Sequence, residues 1–124
     1  MDKTTPPAPI APLLPDLAAQ AKEYADEAAA QLARIPAMRK EIEGCGISPS
    51  KTQREAIAGM LAAVDGITKL AQARTDYARE TTTWTPSPWS DPAVIARMCL
   101  QEVNHATAAV YWLVHAANET RRAF

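Results

Sequence analysis

A chain of 124 residues, 48% apolar and 22% charged, is long enough for one domain with a real core and too short for two comfortable ones. Its formal net charge is -1 with the signs interspersed, so the basic stripe that phosphate recognition needs is missing and nucleic-acid binding is not expected. The uncharged apolar stretch before His115, Ala106–Val114, falls far short of the ~20 apolar residues of a membrane span. No basic region followed by an apolar run opens the chain, so a cytoplasmic location is expected.

Alanine makes up about a fifth of the residues, and the alternating β-branched runs that mark strands are absent. The expected class is all-α: a three-helix antiparallel, up-down-up bundle over residues 16–124, with a kinked first helix and an extended Pro-rich arm over residues 1–15. Pro6, Pro9, Pro12 and Pro15 recur every three residues, the repeat of a polyproline II helix, with Ile10 and Leu13 on another edge. Lys3, Pro6 and Pro9 also match the spacing read by SH3-type grooves. The arm is expected to drape over the bundle, and Pro6, Pro9, Ile10, Pro12 and Leu13 are its candidate contact residues.

Asp16 is a good N-cap for a first helix over Asp16–Glu43, whose stripe is Leu17, Ala21, Tyr24, Ala28, Leu32, Ile35, Met38 and Ile42. Pro36 removes a backbone donor, but the stripe keeps phase across it, so a kink is expected rather than a break. Gly44 suits the C′ position, and Gly44-Cys45-Gly46 makes the turn.

The second helix, Pro49–Glu80, follows Ser48-Pro49, with Thr52-Gln53-Arg54-Glu55 as an alternative capping-box start. It carries two apolar faces. Ile57, Met60, Leu61, Val64, Thr68, Ala71 and Thr75 form the face expected to build the core. Gly59, Ala62, Ala63, Gly66, Leu70, Ala73 and Tyr77 form the other. Gly59 and Gly66 each cost up to ~1 kcal/mol in a helix interior relative to Ala, so a close helix contact is the reason to keep them. The partner is either the kinked first helix or a second copy of the chain. Gly59, Ala62, Gly66, Leu70, Ala73 and Tyr77 are therefore the candidate self-association residues.

The linker Thr81–Ser90 places Trp84 and Trp89 around Pro86 and Pro88, and both Trp are expected to cap the end of the bundle. Trp89 is expected to staple onto Val94 if Ser90 is the N-cap. The third helix, Asp91–Arg122, has Ile95, Cys99, Val103, Ala106, Val110, Leu113 and Ala117 as its stripe. Val94, Met98, Ala109, Trp112 and Ala116 widen that stripe into an arc, while Arg97, Asn104, Tyr111, His115 and Arg122 take the wet side. Cys45 and Cys99 are expected about 30 Å apart at 1.5 Å rise per residue. That is out of disulfide reach, and both should be reduced thiols.

One pattern carries metal or catalytic potential. Glu102-Val103-Asn104-His105 is a Glu-x-x-His, the spacing that di-iron and di-manganese bundles use in duplicate. Level with it stand Glu27 on the first helix and Lys69 on the second. Glu102, His105 and Glu27 could hold Fe, Mn or Zn in a ferritin-like half-site completed by dimerisation. The alternative is a Glu102–Lys69 ion pair, since an unpaired buried carboxylate is costly. Phosphate loops, nucleophile elbows, zinc spacings and a Cys–His nucleophile pair are all missing. The favoured expectation is a small non-enzymatic protein, without cofactor, that binds a protein partner and itself, of the accessory, adaptor or inhibitor type. A small apolar ligand beside Trp112 is a third option.

Overall fold

The structure is a computed structural model that describes residues 13–87 and 89–123, with the side chains of residues 13–15 outside the description. It is all-α, with helices α1 (Leu13–Leu32), α2 (Ile35–Cys45), α3 (Lys51–Thr81) and α4 (Pro92–Ala123). Of the expected Pro-rich arm 1–15, residues 1–12, with Pro6, Pro9, Ile10 and Pro12, lie outside the described residues, as does the Leu13 side chain; residues 13–15 are already helical, so Asp16 sits in the first turn of α1 rather than at its N-cap.

Three buried rows, each spaced by seven residues, form the core. They are Ala21/Ala28/Ile35/Ile42, Ile57/Val64/Ala71/Ala78 and Ala96/Val103/Val110/Ala117, none more than 1% exposed. A strict seven-residue repeat keeps one seam of each helix against its neighbours over many turns. Alanine supplies much of these rows, so the helix axes can approach closely. Tyr24, Leu32, Met38, Met60, Leu61, Ile67 and Leu113 pack half-buried around the rows. The expected stripe of the first segment and the expected core face of α3 are thus both in place.

Pro36 breaks the helix rather than kinking it. α1 ends at Leu32, Ala33 and Arg34 form a turn, and Pro36 sits in the first turn of α2. There its missing N–H and fixed φ carry no penalty. The bonds from Ala33 N to Ala29 O (3.0 Å) and Arg34 N to Gln31 O (3.1 Å) close α1. The seven-residue row nonetheless runs on from Ala28 to Ile35, so both pieces line the same core. At the next turn Gly44 lies inside α2 and Gly46 is the C-cap, at φ −85°. No residue has a positive φ among those described, so the αL cap expected at Gly44 does not form. Gly46 serves close approach instead, since a Cβ there would sit 3.0 Å from Ile57 Cγ2.

Capping is local and specific. Ser50 Oγ accepts from Gln53 N (3.3 Å), so α3 starts two residues after Pro49. The buried Gln53 side chain donates from Nε2 to the Cys45 carbonyl (3.1 Å) and accepts at Oε1 from the Ser48 hydroxyl (2.7 Å), tying the α2–α3 turn to the helix start. Asp91 Oδ1 accepts from Ala93 N (2.9 Å) and Val94 N (3.3 Å), so Asp91 caps α4 with Pro92 behind it.

Contacts between helices fix their relative directions. Arg39 of α2 reaches Asp65 of α3, and Arg74 of α3 reaches Glu102 of α4. Ile67 and Leu70 border Ala106 and Ala109, so α3 and α4 pass in opposite senses. Leu17 and Tyr24 border Asp91 and Val94, while Gln31 and Arg34 border Asn104 and Tyr111, so α1 and α4 run in the same sense. Cys45 and Cys99 are free, buried, and in separate core clusters. Cys45 Sγ donates to Asn118 Oδ1 at 3.6 Å.

A candidate interaction face on α3 and α4

The face of α3 opposite its buried row is uncovered. Gly59, Ala62, Gly66 and Ala73 are exposed, Leu70 is 51% exposed and Tyr77 39%. A Cβ built on Gly59 or Gly66 meets nothing within 4 Å. Of the two partners expected for this face, the first helical segment is ruled out. α2 packs on the other flank of α3, where Arg39 Nε and Nη2 donate to Asp65 Oδ1 (2.8 Å) and Oδ2 (3.3 Å) and Nη1 pairs with Glu43. Those bonds from Arg39 hold the Asp65 carboxyl below the usual carboxylate range, with lesser help from Lys69 and against some desolvation.

α4 extends this open face. Met98 (51% exposed) and Trp112 (66%) were expected to widen the core arc, but they lie on the surface. With Glu102, His105, Ala109 and Ala116 they form a second run spaced four, three, four, three and four along α4. Gly59, Ala63, Gly66, Leu70, Ala73 and Tyr77 repeat that spacing on α3. The opposite senses of the two helices bring the runs side by side. Where they meet, Ile67, Leu70, Ala106 and Ala109 floor an apolar groove of about 340 Å³, with Glu102 and His105 on its rim. A groove of that size lies at the lower end of the range for ligand and partner sites.

Glu102 pairs with Arg74, not Lys69. Arg74 sits one turn nearer the start of α4 than Lys69 does, on the α4 side of α3. Lys69 lies on the flank that carries Asp65. Burial, with Glu102 nearby, pushes the Cys99 thiol up from its ordinary value, so Cys99 is a neutral core thiol near neutral pH. Glu102, His105 and Glu27 are not brought together. α1 packs on the Asn104/Thr107/Tyr111 flank of α4, away from Glu102, and both Glu27 and His105 are exposed. Among the described residues no three His, Cys, Asp or Glu side chains gather as a metal-binding group.

The loop between α3 and α4 departs from expectation too. Trp84 is half-buried and packs edge-on against Tyr77 at 5.8 Å, a partial cap. Trp89 is 95% exposed and staples nothing, because Asp91 rather than Ser90 is the N-cap. Sequence reasoning also missed the opening that the Ala33–Arg34 turn leaves against α4. Two depressions there, of about 420 and 370 Å³, share Arg34 and Tyr111. Tyr111, Trp112 and His115 cluster beside them with ring centroids 5.3–5.9 Å apart, Tyr111 edge-on to the other two. No helix of the described residues is long and apolar enough to cross a membrane. Compared with family models, with curated proteins and with solved structures, the chain shows no match.

Proposed function

We propose that this chain is an up-down-up bundle with a Pro-rich arm that works without catalysis, as an accessory, adaptor or inhibitor protein. It associates with itself through the outer face of α3 and α4 and so presents a paired surface to a protein partner in the cytoplasm. One observation supports this above the rest. Two helices with buried rows of strict seven-residue spacing carry a second run, four and three residues apart by turns, on their far sides, apolar along α3 and interrupted by Glu102 and His105 along α4. A helix patterned on both faces has the composition of an inner helix in a larger bundle. Leu70, Tyr77, Met98 and Trp112 are its large side chains, and Gly59 and Gly66 are open sockets among them.

Light scattering coupled to size-exclusion chromatography tests the reading. A dimer at micromolar concentration is expected, and Gly66→Leu, whose Cβ has no neighbouring atom within 4 Å, should convert it to a folded monomer. A wild-type monomer overturns the proposal, as does unchanged assembly of the variant. Elemental analysis of protein purified without chelators tests the carboxylate–histidine alternative. Iron, manganese or zinc near one per chain, lost on Glu102→Ala, would establish it.

A further inference from the structure

The hollow between α2 and the second half of α4, about 370 Å³ in volume, lies apart from the outer face of α3 and α4. Arg34, Met38 and Glu41 line one wall at spacings of four and three, which sets them on one face of the helix. Tyr111, Val114, His115 and Asn118 line the facing wall. Arg34 and Tyr111 also share the neighbouring depression, and Asn118 reaches Glu41, so the two walls run in the same sense. Tyr111 therefore stands at the Arg34 end and Asn118 at the Glu41 end. Between them, half-buried Met38 and buried Val114 make the middle apolar.

The two ends carry opposite charges. Among the described residues neither Arg34 nor Glu41 joins an ion pair. Each is steadied by a neutral amide instead: Arg34 Nη1 donates to Gln31 Oε1 (2.9 Å), and Asn118 Nδ2 donates to Glu41 Oε1 (3.5 Å). Asn118 is itself held, donating to the Val114 carbonyl (3.0 Å) and accepting from Cys45 Sγ (3.6 Å). The guanidinium keeps further N–H donors in a planar fork that matches a carboxylate. Helix polarity points the same way, because no side chain caps the start of α2 beside Arg34. Negative charge is favoured at that end of a helix and positive charge towards the other. Seven residues of helix set the two charges about 10 Å apart along its axis. An extended chain of about three residues spans the same length.

We propose that this hollow binds a free peptide of about three residues, held by both of its termini. The peptide's α-carboxylate sits on Arg34 and its α-ammonium on Glu41, while its middle side chain lies over Met38 and Val114. Tyr111 and His115 close the α4 side. A single amino acid is too short to reach both charges, and a much longer chain carries its termini past them. The site is complete within one chain and does not depend on self-association.

Titration of trialanine into isotope-labelled protein, followed by NMR, tests this. The amide resonances of Arg34, Glu41 and Asn118 should move and saturate. Blocking the peptide's carboxylate as an amide, or its amine by acetylation, should each weaken binding about tenfold or more, the worth of one charge-assisted contact. Alanine alone and hexaalanine should bind more weakly than trialanine. Arg34→Gln should match the loss caused by the amide cap and add nothing to it, and Glu41→Gln should stand in the same relation to the acetyl cap. Both side chains are exposed, so the fold should persist by circular dichroism. The capped peptides probe the same contacts in unsubstituted protein, so the answer does not hang on the variants. No saturable shift at millimolar trialanine overturns the proposal. So does binding that is indifferent to the caps, or that survives both substitutions unchanged.

Discussion

Replacing Gly66, or Gly59, with alanine probes the outer face of α3 from both directions at once. Each glycine lies in the interior of a 31-residue helix, where Gly is up to ~1 kcal/mol less favourable than Ala. A Cβ at either site meets no neighbouring atom within 4 Å, so nothing within the chain offsets that gain. In dilute solution each substitution should therefore stabilise the fold by up to ~1 kcal/mol, roughly a 4 °C rise in Tm for a domain of this size. At high concentration the sign changes if a second copy packs closely there. The added methyl group then pushes the helices apart, and the concentration-dependent part of stability shrinks. Urea unfolding followed by circular dichroism at low and high protein concentration separates the two terms. Destabilisation in dilute protein would show that the face is covered within the chain. An equal gain at both concentrations would show that no close contact forms at the glycines.

The two glycines of the α2–α3 turn should behave oppositely. Gly46→Ala places a methyl 3.0 Å from Ile57 Cγ2 and should cost ~1–3 kcal/mol by chemical denaturation, whereas Gly44→Ala, with open space around it, should stabilise α2 by up to ~1 kcal/mol. Asp91→Ala removes the acceptor for Ala93 N and Val94 N and should lower stability by ~1 kcal/mol, with Asp91→Ser recovering most of it in thermal melts. The Arg39–Asp65 pair predicts a pH dependence: the folded pKa of Asp65 lies below its unfolded value of ~3.9, so the stabilisation is complete above that value and disappears as pH falls through the folded one. Asp65→Asn should flatten the acid limb of a stability–pH curve, and an equally steep limb in the variant would show that the pair contributes nothing.

How far the sequence disclosed this fold differs from helix to helix, for physical reasons. The stripe from Leu17 to Ile42 was legible because helical periodicity survives a two-residue interruption when the pieces keep phase. The same continuity concealed the break at Pro36: phase reports which side a residue faces, not whether the backbone between is helical. The start of α4 was legible from Ser90-Asp91-Pro92, but not which of the two polar residues caps it: Asp91, rather than Ser90, accepts from Ala93 N and Val94 N. At Gly44 the expectation failed because Gly46 was needed for a different purpose, the approach of Ile57, which only tertiary contact reveals. On α4 the apolar arc from Ile95 to Trp112 is wider than three neighbouring helices can cover. The sequence shows its width but not which edge is left out, so the pattern alone places Met98 and Trp112 in the core arc. Glu102 was the clue, since a carboxylate inside an arc marks its boundary. Its true partner, Arg74, depended on the α3–α4 register, which hydrophobic pattern alone does not specify.

The doubled pattern on α3 and α4 has a consequence that separates folding from association. Val64, Ala71, Val103 and Val110 are fully buried within one chain, so truncating Val64 or Val110 opens a cavity and should lower stability whatever the oligomeric state. Leu70 and Trp112 are more than half exposed, and changes at such surface sites are usually within ~0.5 kcal/mol for the isolated fold. Leu70→Ala and Trp112→Ala should therefore leave dilute-solution unfolding nearly untouched and weaken self-association, while Val110→Ala should do the reverse. This separation follows from geometry, because the buried and outer rows lie on different sides of the same helices. If Leu70→Ala instead destabilised the dilute chain as Val110→Ala does, the outer row would belong to the fold, and the case for a face built to receive a second copy would fail.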